Sequence, residues 1–240
     1  MHGKTKKALF FLLDLIRRFQ WIFFMSIRDE RKQQSRQALL DAALLLSTSG
    51  RSFSSISLRE VAREVGLVPT AFYRHFQDMD ALGLELVDQV SLHLKSLTHQ
   101  LGQSYLQYKS NTKTRTSIEL FVQAVDHSPR QWQFMIAERW GGSETVRCAI
   151  AREIEYLIED LAIDLCKLDA FKPMKNTKDL HVLATILINM SFTWAMTWIM
   201  LPKQSKADEL ATQRQIFLDN ATTQVRLLFC GISNWAPQPT

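Results

Sequence analysis

Ser57 to Phe76, SLREVAREVGLVPTAFYRHF, is the stretch whose reading decides the fold. Ser57 and Glu60 stand in S-x-x-E spacing, so the hydroxyl and the carboxylate can each satisfy a free backbone N–H at the start of a helix. Leu58, Val61, Ala62 and Val65 recur at helical spacing and predict one buried face. Gly66 stands where that helix should stop, at a position that favours positive φ. Pro69 then opens a second, short helix, expected over about Pro69 to Phe76, because a proline is tolerated in a first turn. Helix, glycine turn and helix form the skeleton of a helix-turn-helix. The small, polar and aromatic side chains of the second helix suit entry into a DNA major groove.

The rest of the chain agrees with an all-α protein. Its 240 residues allow one or two domains with a large apolar core. Glycine and proline are few, and apolar residues recur at helical spacing along most of the length. The formal charge of +5 suits a polyanionic partner. That charge is uneven, with His2 to Lys7 and Arg28 to Arg36 basic and Asp78 to Asp88 acidic. Three cysteines, Cys148, Cys166 and Cys230, form no C-x-x-C pair, which predicts reduced, buried thiols in a cytoplasmic protein. The histidines (2, 75, 93, 99, 127 and 181) show no metal-like spacing, and there is no H-E-x-x-H, G-x-S-x-G, Walker loop or G-x-G-x-x-G. No catalytic residue, metal site or cofactor is therefore expected.

Two apolar segments invite a membrane reading. Lys4 to Phe24, KTKKALFFLLDLIRRFQWIFF, is interrupted by Asp14, Arg17 and Arg18 and lacks a small-residue cleavage site. It reads either as an extension ahead of a start at Met25 or as an amphipathic surface helix. Val182 to Leu201, VLATILINMSFTWAMTWIML, is long enough to span a bilayer, but Asn189, Ser191, Thr193 and Thr197 dilute it. A helix apolar all round is equally suited to a core or a subunit interface. A membrane-surface binding protein is the reading of another class, and no integral membrane partner is expected.

The helix Gln34 to Ser47, the motif LREVAREVGLVPTAFYRHF with F-Y-R-H-F at Phe72 to Phe76, and a long helix starting at Asp78 together resemble the TetR family of bacterial repressors. DMDALGLELVD at Asp78 to Asp88 and ERWGGSETVRCAIAREI at Glu138 to Ile154 look like repressors of the FabR/DesT type, which act on fatty-acid synthesis and desaturation genes. The resemblance implies an extension over 1–25, a three-helix DNA-binding domain over 26–80, and a helical effector-binding and dimerisation domain over 81–235. It also implies a homodimer paired through late helices that include 182–201. The long helix after Asp78 would carry effector binding into a change of head spacing, with half-sites roughly 34 Å apart.

By resemblance, Thr70, Ala71, Tyr73 and His75 face operator DNA, with Pro69 at the start of their helix. Thr70 and Ala71 can meet a thymine methyl or admit a base edge, and Tyr73 and His75 can reach the backbone. Ser57 and Arg59 stand at a helix start where phosphate can be clamped; Arg59 could instead reach a guanine or form a surface ion pair. Arg28, Arg31, Lys32 and Arg36 would lie near phosphates, giving affinity and salt dependence without sequence information. Phe72 and Phe76 belong to the core. Many relatives carry a lysine just after Asp78, where this chain has Met79, so Asp78 reads as a helix N-cap. Gly83 inside the long helix costs about 1 kcal/mol relative to alanine, which a close approach of another helix would explain.

In the body, Trp132, Met135, Trp140 and Phe192 are candidates to enclose a long apolar effector. Gly141 and Gly142 break a helix, and Arg139, Arg147 and Arg152 flanking that break could receive the phosphates of an acyl-coenzyme A. Arg147 and Arg152 could equally pair with Glu144, Glu153 or Glu155. The expectation is a cytoplasmic repressor of fatty-acid genes answering to an acyl-CoA or acyl-carrier-protein thioester. The alternative within the family is an efflux-gene regulator with a drug-like or aromatic effector.

Overall fold

The computed structural model describes residues 28–107, 113–168, 171, 174, 177–201 and 207–233. The expected extension over 1–25 lies outside them, as do residues 234 and 235 at the end of the expected body. Among the described residues every regular element is helical. Helix α1 covers 28–47, starting earlier than Gln34, so Arg28, Arg31 and Lys32 ride on exposed first turns. Its inner face of Leu39, Leu40, Ala43 and Leu44 is buried. A turn through Gly50, at φ 84°, leads to a single 3-10 turn at Phe53–Ser55.

Helix α2 (Leu58–Glu64) carries the expected capping box, with the Glu60 N–H donating to Ser57 Oγ at 3.3 Å and the Ser57 N–H to Glu60 Oε2 at 2.9 Å. It ends as the glycine implied. Gly66 sits at φ 69°, the Leu67 N–H reaches Ala62 O at 2.8 Å and the Gly66 N–H reaches Arg63 O at 3.1 Å, closing the last carbonyls of the helix. Helix α3 is shorter than expected, Pro69–Phe72. Beyond it the chain tightens, with Arg74 N–H on Ala71 O and His75 N–H on Phe72 O, an i→i+3 pattern that carries the backbone to Phe76.

Helix α4 (Met79–Gln107) is 29 residues long, roughly 43 Å at 1.5 Å per residue. Asp78 caps it, accepting from the Ala81 N–H at 2.8 Å. The body follows as α5 (Lys113–His127), α6 (Pro129–Glu138), α7 (Glu144–Cys166), α8 (Thr177–Ile199) and α9 (Ala207–Ser233). Helix α7 packs along both α4 and α8, and α5 lies against α9. One apolar core runs from Leu39, Phe72 and Phe76 through Leu82 and Leu86 to Trp132, Phe134 and Ile150.

Gly83 is where α4 comes closest to its neighbours. A Cβ there would lie 2.7 Å from Val146 Cγ2 and 3.0 Å from the Phe53 ring. Bare backbone at this point lets α7 and the Phe53 turn both close on α4. Phe53 in turn meets Phe134 of α6 edge-on, with centroids 6.5 Å apart.

One expectation needs revision. The cysteines are exposed: on α7 the inward phase belongs to Val146, Ala149, Ile150 and Leu165, which turns Cys148 and Cys166 outward, and Cys230 is exposed on α9. The apolar stretch 182–201 falls on α8 and the turn after it, but only 33% of its most apolar window is buried. Leu183, Ala184, Ile188, Phe192 and Ala195 face inward, and Val182, Ile186, Thr193 and Thr197 face out.

Gly83→Ala separates helix propensity from packing. Propensity alone would stabilise the helix by about 1 kcal/mol, whereas the crowded Cβ should destabilise the fold by about 1–3 kcal/mol. Urea unfolding of the full chain gives the sign, and the expected result is a lower midpoint with an unchanged slope.

Candidate nucleic-acid interface and effector core

Helix α3 divides its side chains sharply. Phe72 is fully buried and Phe76 nearly so, their rings 5.6 Å apart, and this anchors the short element to the head. Pro69 and Thr70 are exposed, Ala71 is half-buried, and Tyr73 stands 63% exposed with its ring edge against Phe72. Val68, 65% exposed, and Arg74 widen the same surface. Arg59 and Arg63 of α2 are exposed near it in the chain. These are side chains of the kind that meet base edges and phosphates.

Ser57 and Arg36 have other work. The Ser57 hydroxyl donates to Glu60 Oε2 at 2.8 Å while accepting the Glu60 N–H, so it serves the cap. Arg51 donates to Glu60 Oε1 at 2.8 Å, and that bond, followed by those from the Ser57 N–H and hydroxyl, pulls the Glu60 carboxyl down to about 2. Arg36 is half-buried: Nε donates to Glu85 Oε1 at 2.7 Å, Nη2 pairs with Glu85 Oε2, and Nη1 donates to the His75 carbonyl. Its guanidinium also lies 4.2 Å from the Phe76 ring centroid. Arg36 thus ties α1 to α4 and to the turn that follows α3, in place of the phosphate contact expected. Nothing local marks this, because Glu85 lies 49 residues away.

His75 is half-buried, and its Nδ1 is enclosed without a hydrogen-bond partner among the described residues. Burial, then the nearby Arg36, Lys32 and Arg74, hold its pKa below the ordinary value of 6.5. Between that lowered pKa and 6.5 the unfolded chain binds a proton that the folded head refuses. The corresponding stability is complete above pH 6.5 and is lost as pH falls through the folded value.

In the body, Trp132, Met135 and Phe192 are all buried. Trp132 meets Phe121 and Phe192 edge-on, at 5.5 and 6.0 Å, and Phe121 meets Trp194 at 6.1 Å. Trp194 and Trp198 donate their indole N–H groups to Gln224 and Asp126, at 2.7 and 2.9 Å, but the buried Trp132 Nε1 has no partner among the described residues. Such an orphan donor costs about 1–3 kcal/mol.

The arginines do not assemble around an open mouth. Arg139 donates to Asn189 Oδ1 at 2.9 Å and lies over Phe192 and Trp140; Arg147 donates to the Gly141 carbonyl at 2.8 Å. Arg152 is exposed and pairs with Glu153 at 3.4 Å and Asp88 at 4.0 Å, in line with the alternative of helix-face ion pairs. Trp140 is 80% exposed, so it lies outside the enclosed core that the effector reading assigned it.

What fills the Gly141–Gly142 break is Glu138, a residue that sequence reasoning did not single out. It is 1% exposed, and its carboxylate accepts from the Phe53 N–H at 2.8 Å and from Ser52 Oγ at 3.2 Å. A Cβ on Gly141 would fall 2.0 Å from Glu138 Oε2, and one on Gly142 2.4 Å from Ser54 Oγ. A clue existed: with Phe134 four residues before it and Met135 three before, Glu138 continues the apolar face of α6.

A groove of about 970 Å³ lies open between α8 and α9, lined by Ile186, Met190, Trp194, Ile216, Phe217 and Leu227. It does not include Trp132 or Met135. Among the described residues no group of three or more His, Cys, Asp or Glu side chains could hold a metal ion.

Family models recognise both parts of the chain. Residues 37–86 match the model for bacterial regulatory proteins of the tetR family, and residues 111–219 match a tetracyclin repressor-like C-terminal domain. The chain belongs to the TetR family. It is a transcriptional regulator with a DNA-binding head, and not an enzyme. Solved structures share its fold. A protein described as a TetR-family regulator from Syntrophomonas wolfei has a TM-score of 0.59 at 15% identity, over 83% of this chain and 96% of that one. The fatty acid degradation regulator FadR of Bacillus halodurans gives 0.55 at 10%, over 78% and 94%. FadR of Bacillus subtilis, in complex with stearoyl-CoA, gives 0.55 at 11%, over 78% and 97%. At these identities the likeness is one of fold. TetR membership accounts for the helix-turn-helix, which the membrane-surface reading left unexplained.

The His75 environment gives a pH prediction. Lowering pH from about 7.5 to about 5.5 should lower the melting temperature of the full chain, and His75→Asn should flatten that dependence, as read by thermal denaturation followed by circular dichroism.

Proposed function

We propose that this protein is a cytoplasmic, homodimeric TetR-family repressor that binds a palindromic operator through α2 and α3, with residues 26–80 as the reading head and 81–235 as the sensing and pairing body. The observation that carries the DNA reading is the division on α3: Tyr73 and Thr70 face outward while Phe72, between them, is fully buried. A side chain as apolar as Tyr73 held 63% in water, on an element locked from behind, suits a partner that covers it. Thr70, Ala71, Tyr73 and His75 are assigned to base edges and backbone, with Arg59, Arg28, Arg31 and Lys32 on phosphates. Asp78 caps α4, and Met79 offers no cation.

For pairing, the outward residues Ile186, Thr193 and Thr197 of α8 line the open groove together with exposed Ile216 and Leu227 on α9. A second copy laying the same two helices there would cover both stripes. As effector we propose a long-chain acyl-CoA or acyl-carrier-protein thioester, with fatty-acid synthesis or desaturation genes as targets. The interior around Trp132 is apolar on all named sides and holds one unsatisfied donor, which a thioester carbonyl would satisfy. The edge-packed rings of Phe121, Trp132, Phe192 and Trp194 favour a second reading, a flat aromatic or drug-like effector with efflux genes as targets.

The deciding experiment is a fluorescence-anisotropy titration on DNA from upstream of the protein's own gene and of fatty-acid synthesis and desaturase genes, with and without saturated and unsaturated acyl-CoA. Specific binding that shifts with acyl chain supports the first reading; specific binding indifferent to every acyl-CoA turns the search to aromatic effectors. Tyr73→Ala should abolish specific operator binding while leaving melting temperature and oligomeric state unchanged. Ile216→Glu should convert the dimer to monomer in analytical ultracentrifugation, because it places a charge in the stripe that the second copy would cover.

A further inference from the structure

The segment Glu138 to Val146 joins the body to the head at several points. Glu138 grips the Ser52–Phe53 turn, Gly142 lies under Ser54, the Thr145 hydroxyl donates to Asp80 Oδ2 at 3.1 Å, and Val146 fills the gap left by Gly83. Most of these contacts are ordinary packing. Glu138 is different, because a carboxylate that is 1% exposed and held by one backbone N–H and one hydroxyl is costly to bury. Its two bonds hold the Ser52–Phe53 turn of the head against the end of α6.

We infer that Glu138 is a positioning residue for operator binding: its buried carboxylate, seated on the Phe53 amide and Ser52 hydroxyl, latches the DNA-reading head to α6 and so fixes the angle at which each protomer presents α3. The lever behind it is short. Three residues before Glu138, Met135 is fully buried, and Trp132 lies one turn further back in the aromatic core. The next residue, Arg139, is tied to Asn189 of α8, whose side chain lines the groove between α8 and α9. A shift of α6 against the core or against α8 is therefore felt at the Phe53 turn through a contact that has two states, seated or released.

The test uses the full chain and two substitutions that reach the latch from opposite sides. Glu138→Ala removes the acceptor. Gly141→Ala leaves the carboxylate present but puts a Cβ 2.0 Å from Oε2, displacing it, and the three atoms nearest that Cβ all belong to Glu138. The first readout is hydrogen exchange in the peptide containing Phe53, which should quicken about tenfold or more in both variants. The second is affinity for an operator selected from a random pool by the wild-type protein, and for versions with the half-sites moved together or apart by a base pair. The wild type should discriminate strongly among these spacings, and both variants should bind them within about threefold of one another, with binding to unrelated DNA unchanged. Glu138→Gln should restore both readouts, because an amide oxygen still accepts the Phe53 N–H and its NH2 can donate to Ser52 Oγ. Unchanged exchange at Phe53 together with intact spacing discrimination in either variant overturns the inference. The spacing arm rests on the operator-binding reading. If the wild type selects no operator, that reading fails, and the exchange arm alone decides whether Glu138 holds the turn.

Discussion

Helix α4 belongs to the head at one end and to the body at the other, and it can do so because it carries no side chain at Gly83. At that point Val146 from α7 and the ring of Phe53 both press against backbone. Several contacts between head and body gather around this approach. Phe53 must be there to meet Phe134, α7 must be there to pack along α4, and Glu138 must be within reach of the Phe53 amide. A methyl group at residue 83 would force one of these neighbours to yield, and in a close-packed interior a small displacement is passed on to the next contact.

What could be read from the sequence was local. The capping box at Ser57 and Glu60, the positive φ of Gly66 and the caps at Asp78 involve atoms only a few residues apart, so spacing alone specified them. Phe72 and Phe76 were assignable to the core because one helical turn separates them. Gly83 was legible as a cost that needed a reason, though not which residues supplied it. The contacts that organise the site were not legible, because their partners are remote: Arg36 finds Glu85, and Glu138 finds Ser52 and Phe53 across 86 and 85 residues. Arg36 in a basic run and Glu138 beside a glycine pair each look like surface charges until the fold supplies the partner.

The same difference explains why the ERWGG segment has the sequence pattern of a ligand mouth. Two glycines flanked by arginines are what an anion site needs, but they are also what a crowded joint needs. Here the space beside Gly141 is taken by a carboxylate of the protein itself, and Arg147 is spent on the Gly141 carbonyl. The effector reading consequently leans on the interior near Trp132, where an unsatisfied donor sits among rings, and less on the arginines.

The joint also bears on how such proteins can be recombined. The sequence suggests two modules meeting near residue 80, but part of the surface on which the head rests is made by Glu138, Gly142 and Thr145, some sixty residues further on. A chimera that takes a reading head from a relative and joins it at residue 80 would bring a foreign turn to this seat. Exchange of specificity between relatives therefore requires a discontinuous graft, in which the head travels together with the α6–α7 turn that receives it.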